Sequence, residues 1–376
     1  MLRVMCMLLI LAGLSNQSSA SEFYDGVDAY NRGDYSKAEQ FFKSAAQKAD
    51  VSAQFNLGLM YSNGQGVSQD YSEAIKWYRL AAQQGDASAQ FNLGLMYSNG
   101  QGVSQDYSEA IKWYRLAAQQ GNAKAQFNLG VMYDNGKGLQ KDYVEAAKWY
   151  QLAAKQGDVS AQFNLGILYE NGKEVPHDYT EAAKWYRLAG QQGNANAQFN
   201  LGLMYDNGRG VTQDYAEAVK WYQLAAQQGD AKAQFTLGLM YDNGRGVALD
   251  YAEAVKWYRS AAQLGDVKAQ FTLGLMYDNG RGVTQDYAEA VKWYRLAAQQ
   301  GDAKAQFNLG LMYGNGLGVP QNYVRAHIWF SLAVISGNTE AIRNRDIATR
   351  EMTPTQLEEA QKLARVCIAN KFRDCD

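Results

Sequence analysis

The chain has 376 residues, of which 47% are hydrophobic and 20% charged, with a formal net charge of −2. That balance is typical of a folded protein. It argues against nucleic acid as a partner, because such binding calls for a basic face.

The first element is a leader. "MLRVMCMLLILAGLSNQSSA" offers one Arg, an apolar run from about Val4 to Leu14 and a small-polar exit ending in Ala20. This is the order of a secretory signal peptide with cleavage expected after Ala20. The run is too short to span a bilayer, which takes about 20 residues. No later stretch reads as a membrane anchor, so the mature chain is expected in the periplasm or secreted.

From residue 50 onward one unit recurs every 36 residues. Phenylalanine stands at Phe55, Phe91, Phe127, Phe163, Phe199, Phe235, Phe271 and Phe307, and all eight tryptophans from Trp77 to Trp329 keep the same step. Such a fixed period is the signature of a repeat architecture. In the first unit, "DVSAQFNLGLMYSNG" has Asp50 as N-cap, apolar residues at helical spacing and Asn63-Gly64 as a stop, giving a helix A. Gly58 lies inside it and recurs seven more times, which implies close contact between backbones. After the loop "QGVSQ", Asp70 and Glu73 read as a capping box opening helix B, which Gly85 ends. Neither helix buries its apolar face alone, so the units must stack. The expected fold is an all-α solenoid of antiparallel helix pairs, with eight units over residues 50–337.

The pattern A-x-A-Q-F-x-L-G-x-M-Y-x-N-G-x-G-V-x-x-D-Y-x-E-A-x-K-W-Y-x-x-A-A-x-x-G resembles the Sel1-like repeat, a longer-looped relative of the tetratricopeptide repeat. The resemblance implies a right-handed superhelix acting as an adaptor or scaffold for proteins, often exported in bacteria. Residues 21–49, with a loop about four residues shorter, look like a plain tetratricopeptide unit capping the start. Residues 338–376 supply a C-terminal cap: one helix near Thr339 to Arg350 and another opened by Thr353, Pro354 and Gln356. In repeat 8, Arg325-Ala326-His327-Ile328 replaces Glu-Ala-x-Lys, and the apolar Ile328 predicts a covering helix. Cys367 and Cys375 remain after the leader; they can be joined in one disulfide or both be free.

Function is sought where polar residues recur. In tetratricopeptide domains the helix A face lines a concave groove, and the equivalent of the ladder Asn56, Asn92, Asn128, Asn164, Asn200, Thr236, Thr272 and Asn308 grips an extended peptide. An amide suits this, being donor and acceptor together. The same asparagines can instead serve packing by bonding a neighbouring helix. Beside them Ser52 and Ser88 become Lys124, then Ser160, Asn196, Lys232, Lys268 and Lys304. Ser62 and Ser98 give way to Asp134, Glu170, Asp206, Asp242, Asp278 and Gly314, and the loop changes from Gln65 and Gln101 to Lys137, Lys173, Arg209, Arg245, Arg281 and Leu317. The first third of the groove is thus read as neutral and the rest as mixed in charge, a direction bias for a ligand or a solvated face. In repeat 4, Glu174 replaces a glycine of the loop, so a differently shaped loop is expected there, with His177 beside it.

No catalytic group is readable. His177 and His327 lie far apart, and no Ser-His-acid, CxxC, HExxH or P-loop pattern occurs. No cofactor or metal is called for, and the chain is read as non-enzymatic. Cysteine-rich secreted relatives described as acting on β-lactams carry a cysteine pair in each repeat, which this chain lacks. The sequence therefore points to an exported scaffold that holds a protein or extended peptide segment. A regulator of envelope stress or virulence, acting on a receptor or host protein, is the alternative.

Overall fold

A computed structural model describes residues 20–370, 372 and 375. The leader expected at 1–20 therefore lies almost entirely outside the described residues. The described chain is helical, with no strand among those residues, and its contacts divide it into two units, residues 1–185 and 186–376, with the division falling inside one helix.

In the first unit, helix α1 (residues 20–31) and α2 (Tyr35–Gln47) precede the regular pairs. The A helices are α3 (Val51–Asn63), α5 (Ala87–Asn99), α7 (Ala123–Asn135) and α9 (Val159–Asn171); the B helices are α4 (Tyr71–Gln83), α6 (Tyr107–Gln119), α8 (Tyr143–Lys155) and α10 (Tyr179–Gln191). In the second unit, A helices α11 (Ala195–Asn207), α13 (Ala231–Asn243), α15 (Val267–Asn279) and α17 (Ala303–Asn315) alternate with B helices α12 (Tyr215–Gln227), α14 (Tyr251–Gln263), α16 (Tyr287–Gln299) and α18 (Tyr323–Ile335). Helices α19 (Ala341–Arg350) and α20 (Pro354–Ala369) close it.

The caps fall where the residue types place them. Asp50 accepts from the Ala53 amide, and Gly64 ends α3 in the left-handed conformation at φ 68°, which glycine adopts without a Cβ penalty. Asp70 accepts from the amides of Ser72 and Glu73. The other half of the expected box is absent: the Asp70 amide donates to the Tyr61 carbonyl, and Glu73 pairs with Lys76 instead. At α20 both halves exist, between Thr353 and Gln356.

The recurring helix A glycine has a different reason from the one expected. A Cβ at Gly58 would lie 2.5 Å from the Tyr78 ring, and one at Gly130 2.5 Å from the Tyr150 ring. The close approach is therefore an aromatic ring of helix B lying on the backbone of its own helix A, rather than backbone on backbone. The ring is buried, and Phe55 flanks it with centroids 6.0 Å apart.

Repeat 4 also departs from expectation. Its loop keeps the same succession of turn and bends as its neighbours, and the Asp178 amide still reaches the Tyr169 carbonyl. Glu174 accommodates this by taking φ 56° itself, a conformation that costs a non-glycine residue about 1–2 kcal/mol.

Successive repeats are stapled by a glutamine that sequence reasoning overlooked. Gln90 is 4% exposed, and its Nε2 donates to the Ala82 carbonyl at the end of the preceding helix B; Gln54, Gln126, Gln198, Gln234, Gln270 and Gln306 do the same at their junctions. A second glutamine closes the staple from outside, as Gln120 Nε2 donates to Gln90 Oε1 at 2.8 Å. A buried amide is tolerable only when its polar atoms are paired.

Candidate functional site

The A helices of each unit present one face outward. Along it, Phe55, Phe91 and Phe127 in the first unit and Phe199, Phe235, Phe271 and Phe307 in the second are half-buried, as are Leu59, Leu95 and their successors. In the first unit Phe55, Leu59, Ser88, Phe91, Asn92 and Lys124 line a groove of about 420 Å³. In the second, Phe271, Lys304, Phe307, Asn308 and the segment 336–340 line one of about 510 Å³. These grooves bring Asn92 together with Lys124, and Asn308 with Lys304. Asn56, Asn128, Asn164, Asn200, Thr236 and Thr272 hold the equivalent half-buried place on their own helices.

The asparagines also have a packing partner. Asn92 faces the Tyr78 hydroxyl of the preceding helix B, where it holds the phenol's pKa down against burial, and the pairs Asn128 with Tyr114, Asn164 with Tyr150 and Asn308 with Tyr294 repeat the contact. Asn56 follows Phe42, which has no hydroxyl, and its amide turns back to the Ser52 carbonyl at 2.8 Å.

The same hydroxyls explain the position read as groove charge. Ser62 reaches Tyr78 and Ser98 reaches Tyr114, while the Tyr150, Tyr258 and Tyr294 hydroxyls donate to Asp134, Asp242 and Asp278 at 3.3, 3.4 and 2.9 Å. Burial pushes Tyr78 and Tyr114 up to about 12, with the Ser and Asn bonds opposing it. For Tyr294 burial and then the Asp278 charge push upward together. In repeat 8 the ring is Phe330 and the acidic position is Gly314: with no hydroxyl, no acceptor is needed.

The loop arginines are likewise engaged. Arg245 pairs with Asp206 at 3.1 Å and lies 4.0 Å over the Tyr215 ring; Arg281 pairs with Asp242 at 3.0 Å and lies 4.1 Å over Tyr251. The expected mixed charge of the groove is thus largely consumed between neighbouring loops. Asp206 is held above the usual carboxylate range by burial, against the pull of Arg245.

What remains unneutralised on the A face is Lys124 in the first unit and the row Lys232, Lys268 and Lys304 in the second, each exposed and each without an ion pair among the described residues. On the B helices, by contrast, Lys220, Lys256 and Lys292 all pair with the glutamate three residues before them.

At the C-terminal end a third groove, about 600 Å³, runs between α18 and α20, lined by Tyr323, Arg325, Ile328, Met352, Glu359 and Leu363 with Cys375. Cys367 and Cys375 are joined in a disulfide, and Ile328 is buried beneath the closing helices. His327 is buried too, beside Arg345 and Asp346 of α19, and its Nδ1 has no hydrogen-bond partner among the described residues. His177 is exposed and packs edge-on against Tyr179, ring centroids 4.2 Å apart. Among the described residues no group of His, Cys, Asp and Glu is placed to hold a metal ion, and no helix is long and apolar enough to cross a membrane.

This architecture matches the Sel1 repeat at nine consecutive segments, residues 20–50, 51–86, 87–122, 123–158, 159–194, 195–230, 231–266, 267–302 and 303–338. The chain belongs to the Sel1 repeat family. The first of the nine segments is the shorter opening unit noted in the sequence. Among solved structures, the chain is similar to a Sel1 repeat protein from Oxalobacter formigenes at 37% identity, over 81% of this chain and 89% of that one, with a TM-score of 0.65. It is also similar to c5321, a protective antigen of uropathogenic Escherichia coli strains with the same repeat fold, at 32% identity over 98% and 96% of the two chains, TM-score 0.53. No curated protein sequence matches. Sel1 repeat proteins are in general protein-interaction scaffolds, typically without catalytic activity.

Proposed function

We propose that this Sel1 repeat protein is an exported, non-enzymatic scaffold whose A-helix face holds an extended segment of a partner protein. The observation that carries the reading is the row of half-buried Phe and Leu side chains with grooves between successive A helices. Apolar surface of this kind, bordered by amides, is what a peptide chain needs for side-chain and backbone contact at once. Export rests on the leader-like first 20 residues and on the Cys367–Cys375 disulfide, which persists in oxidising compartments. A role in envelope or host interaction fits the likeness to a protein named as a protective antigen.

Photo-crosslinking tests this reading. A photoreactive amino acid at Ser88, exposed on the A face, should trap a protein partner in cells producing the chain at native level, whereas one at Ser108, exposed on helix B, should not. Equal trapping from both, or trapping from Ser108 alone, would remove the A face as the binding surface.

A further inference from the structure

We infer that the A face of the second unit selects an acidic extended segment, with carboxylates at about every third residue and apolar side chains between them. This rests on the scaffold reading and adds the chemistry of the occupant.

The inference starts from an asymmetry in charge. Lys232, Lys268 and Lys304 each occupy the second residue of an A helix, where α11 of the same unit has Asn196 and the first unit has Ser52, Ser88 and Ser160 beside a single Lys124. Each lysine follows an N-cap aspartate by two residues, but those carboxylates are bound to backbone amides of Ala233, Ala269 and Ala305. Asp50 and Asp86 play the same capping part in the first unit, so the caps do not offset the difference. Lys220, Lys256 and Lys292 on the B helices and Arg245 and Arg281 in the loops of the second unit are paired with carboxylates. Among the described residues the three A-face lysines form an unneutralised row along the half-buried phenylalanines. Where they meet a groove, Lys304 lines it with Phe271, Phe307, Asn308 and Glu340.

Geometry sets the spacing. Packed helices lie about 10 Å apart, and an extended chain advances about 3.3 Å per residue. A segment crossing the A helices thus meets a new lysine about every third residue, with the intervening side chains falling on Phe and Leu. Charge complementarity of this kind governs selection and encounter rate and weakens with salt.

The test uses the full mature chain and three fluorescent nine-residue peptides that share Leu and Phe at the intermediate positions. They carry Glu, Gln or Lys at positions 1, 4 and 7. At low salt the Glu peptide should bind about five- to thirtyfold more tightly than its Gln twin, as three exposed pairs give, and the Lys peptide more weakly still. K232S/K268S/K304S, which installs the residue found in the first unit, should erase the Glu preference while leaving helicity unchanged. Equal binding of all three peptides, weakened by Leu275→Gln on the same face, would overturn the acidic preference and leave the scaffold reading standing. Binding of none would overturn it as well, with the Ser88 crosslinking experiment deciding the scaffold reading separately.

Discussion

At two junctions of the second unit the outer glutamine of the staple is missing, with Ser336 in its place beside Gln306 and Leu264 in its place beside Gln234. At the others, Gln228 closes on Gln198 at 2.7 Å and Gln300 on Gln270 at 2.8 Å. At the Leu264 junction, Gln234 Oε1 is buried without a hydrogen-bond partner among the described residues, while the Leu264 side chain stands 57% exposed. Leu264→Gln therefore gives up little apolar burial and supplies a donor to an unpaired acceptor. A net hydrogen bond contributes about 0.5–1.5 kcal/mol, and an unsatisfied buried group costs about 1–3, so a gain of about 1–2 kcal/mol is expected. Because arrays unfold piecewise, the measurement is hydrogen exchange, followed in peptides from α13, α14 and α15; protection there should rise about five- to thirtyfold. In a Gln234→Met background the same substitution should add nothing. No rise in protection, or a rise that persists without Gln234, would refute the account of the staple.

Other substitutions probe the stack and its end. Trp185, 5% exposed, should cost about 3–5 kcal/mol on replacement by alanine, and a loss under about 1 in chemical denaturation would mean the ring carries no packing. Gly130→Ala gains about 1 kcal/mol of helix propensity, yet it drives a methyl against Tyr150, so net destabilisation by about 1–2 kcal/mol is expected, and a raised melting temperature would contradict the ring-on-backbone contact. His327 has its pKa lowered by burial first and by Arg345 second. Its folded value thus lies below its unfolded one, so its contribution is whole above about pH 6.5 and is lost as pH falls below that. His327→Val, the residue at the matching Val291, should flatten the acid side of the stability profile below about pH 6.5; an unchanged slope would mean that His327 does not titrate with unfolding.

The period, the caps and the helix pairing were legible because each is local: a residue type at a fixed offset satisfies a backbone group a few residues away. What escaped were contacts between units. Gln54 reads as a polar residue on an apolar stripe, and only stacking shows that its partner is the Ala46 carbonyl. The asparagine ladder carried two meanings in the sequence, and its contact with the tyrosine hydroxyls appears only once helix B of one repeat meets helix A of the next. A signal was present in comparing the repeats with each other, since Phe330 and Gly314 change together. The unpaired lysines stood out in the sequence, but that the loop arginines are spent on Asp206 and Asp242 depends on how neighbouring loops approach.

The glutamine staple also bears on how the chain can change length. Ala46 and Gln54, Ala82 and Gln90, and Ala118 and Gln126 form the same bond at successive junctions. Removing one 36-residue period, such as 87–122, would rejoin surfaces that already fit, with Ala82 meeting Gln126 as it now meets Gln90. Repeats can therefore be lost or copied by unequal recombination without a new interface having to arise, and the length of the A-helix face is open to selection independently of its chemistry.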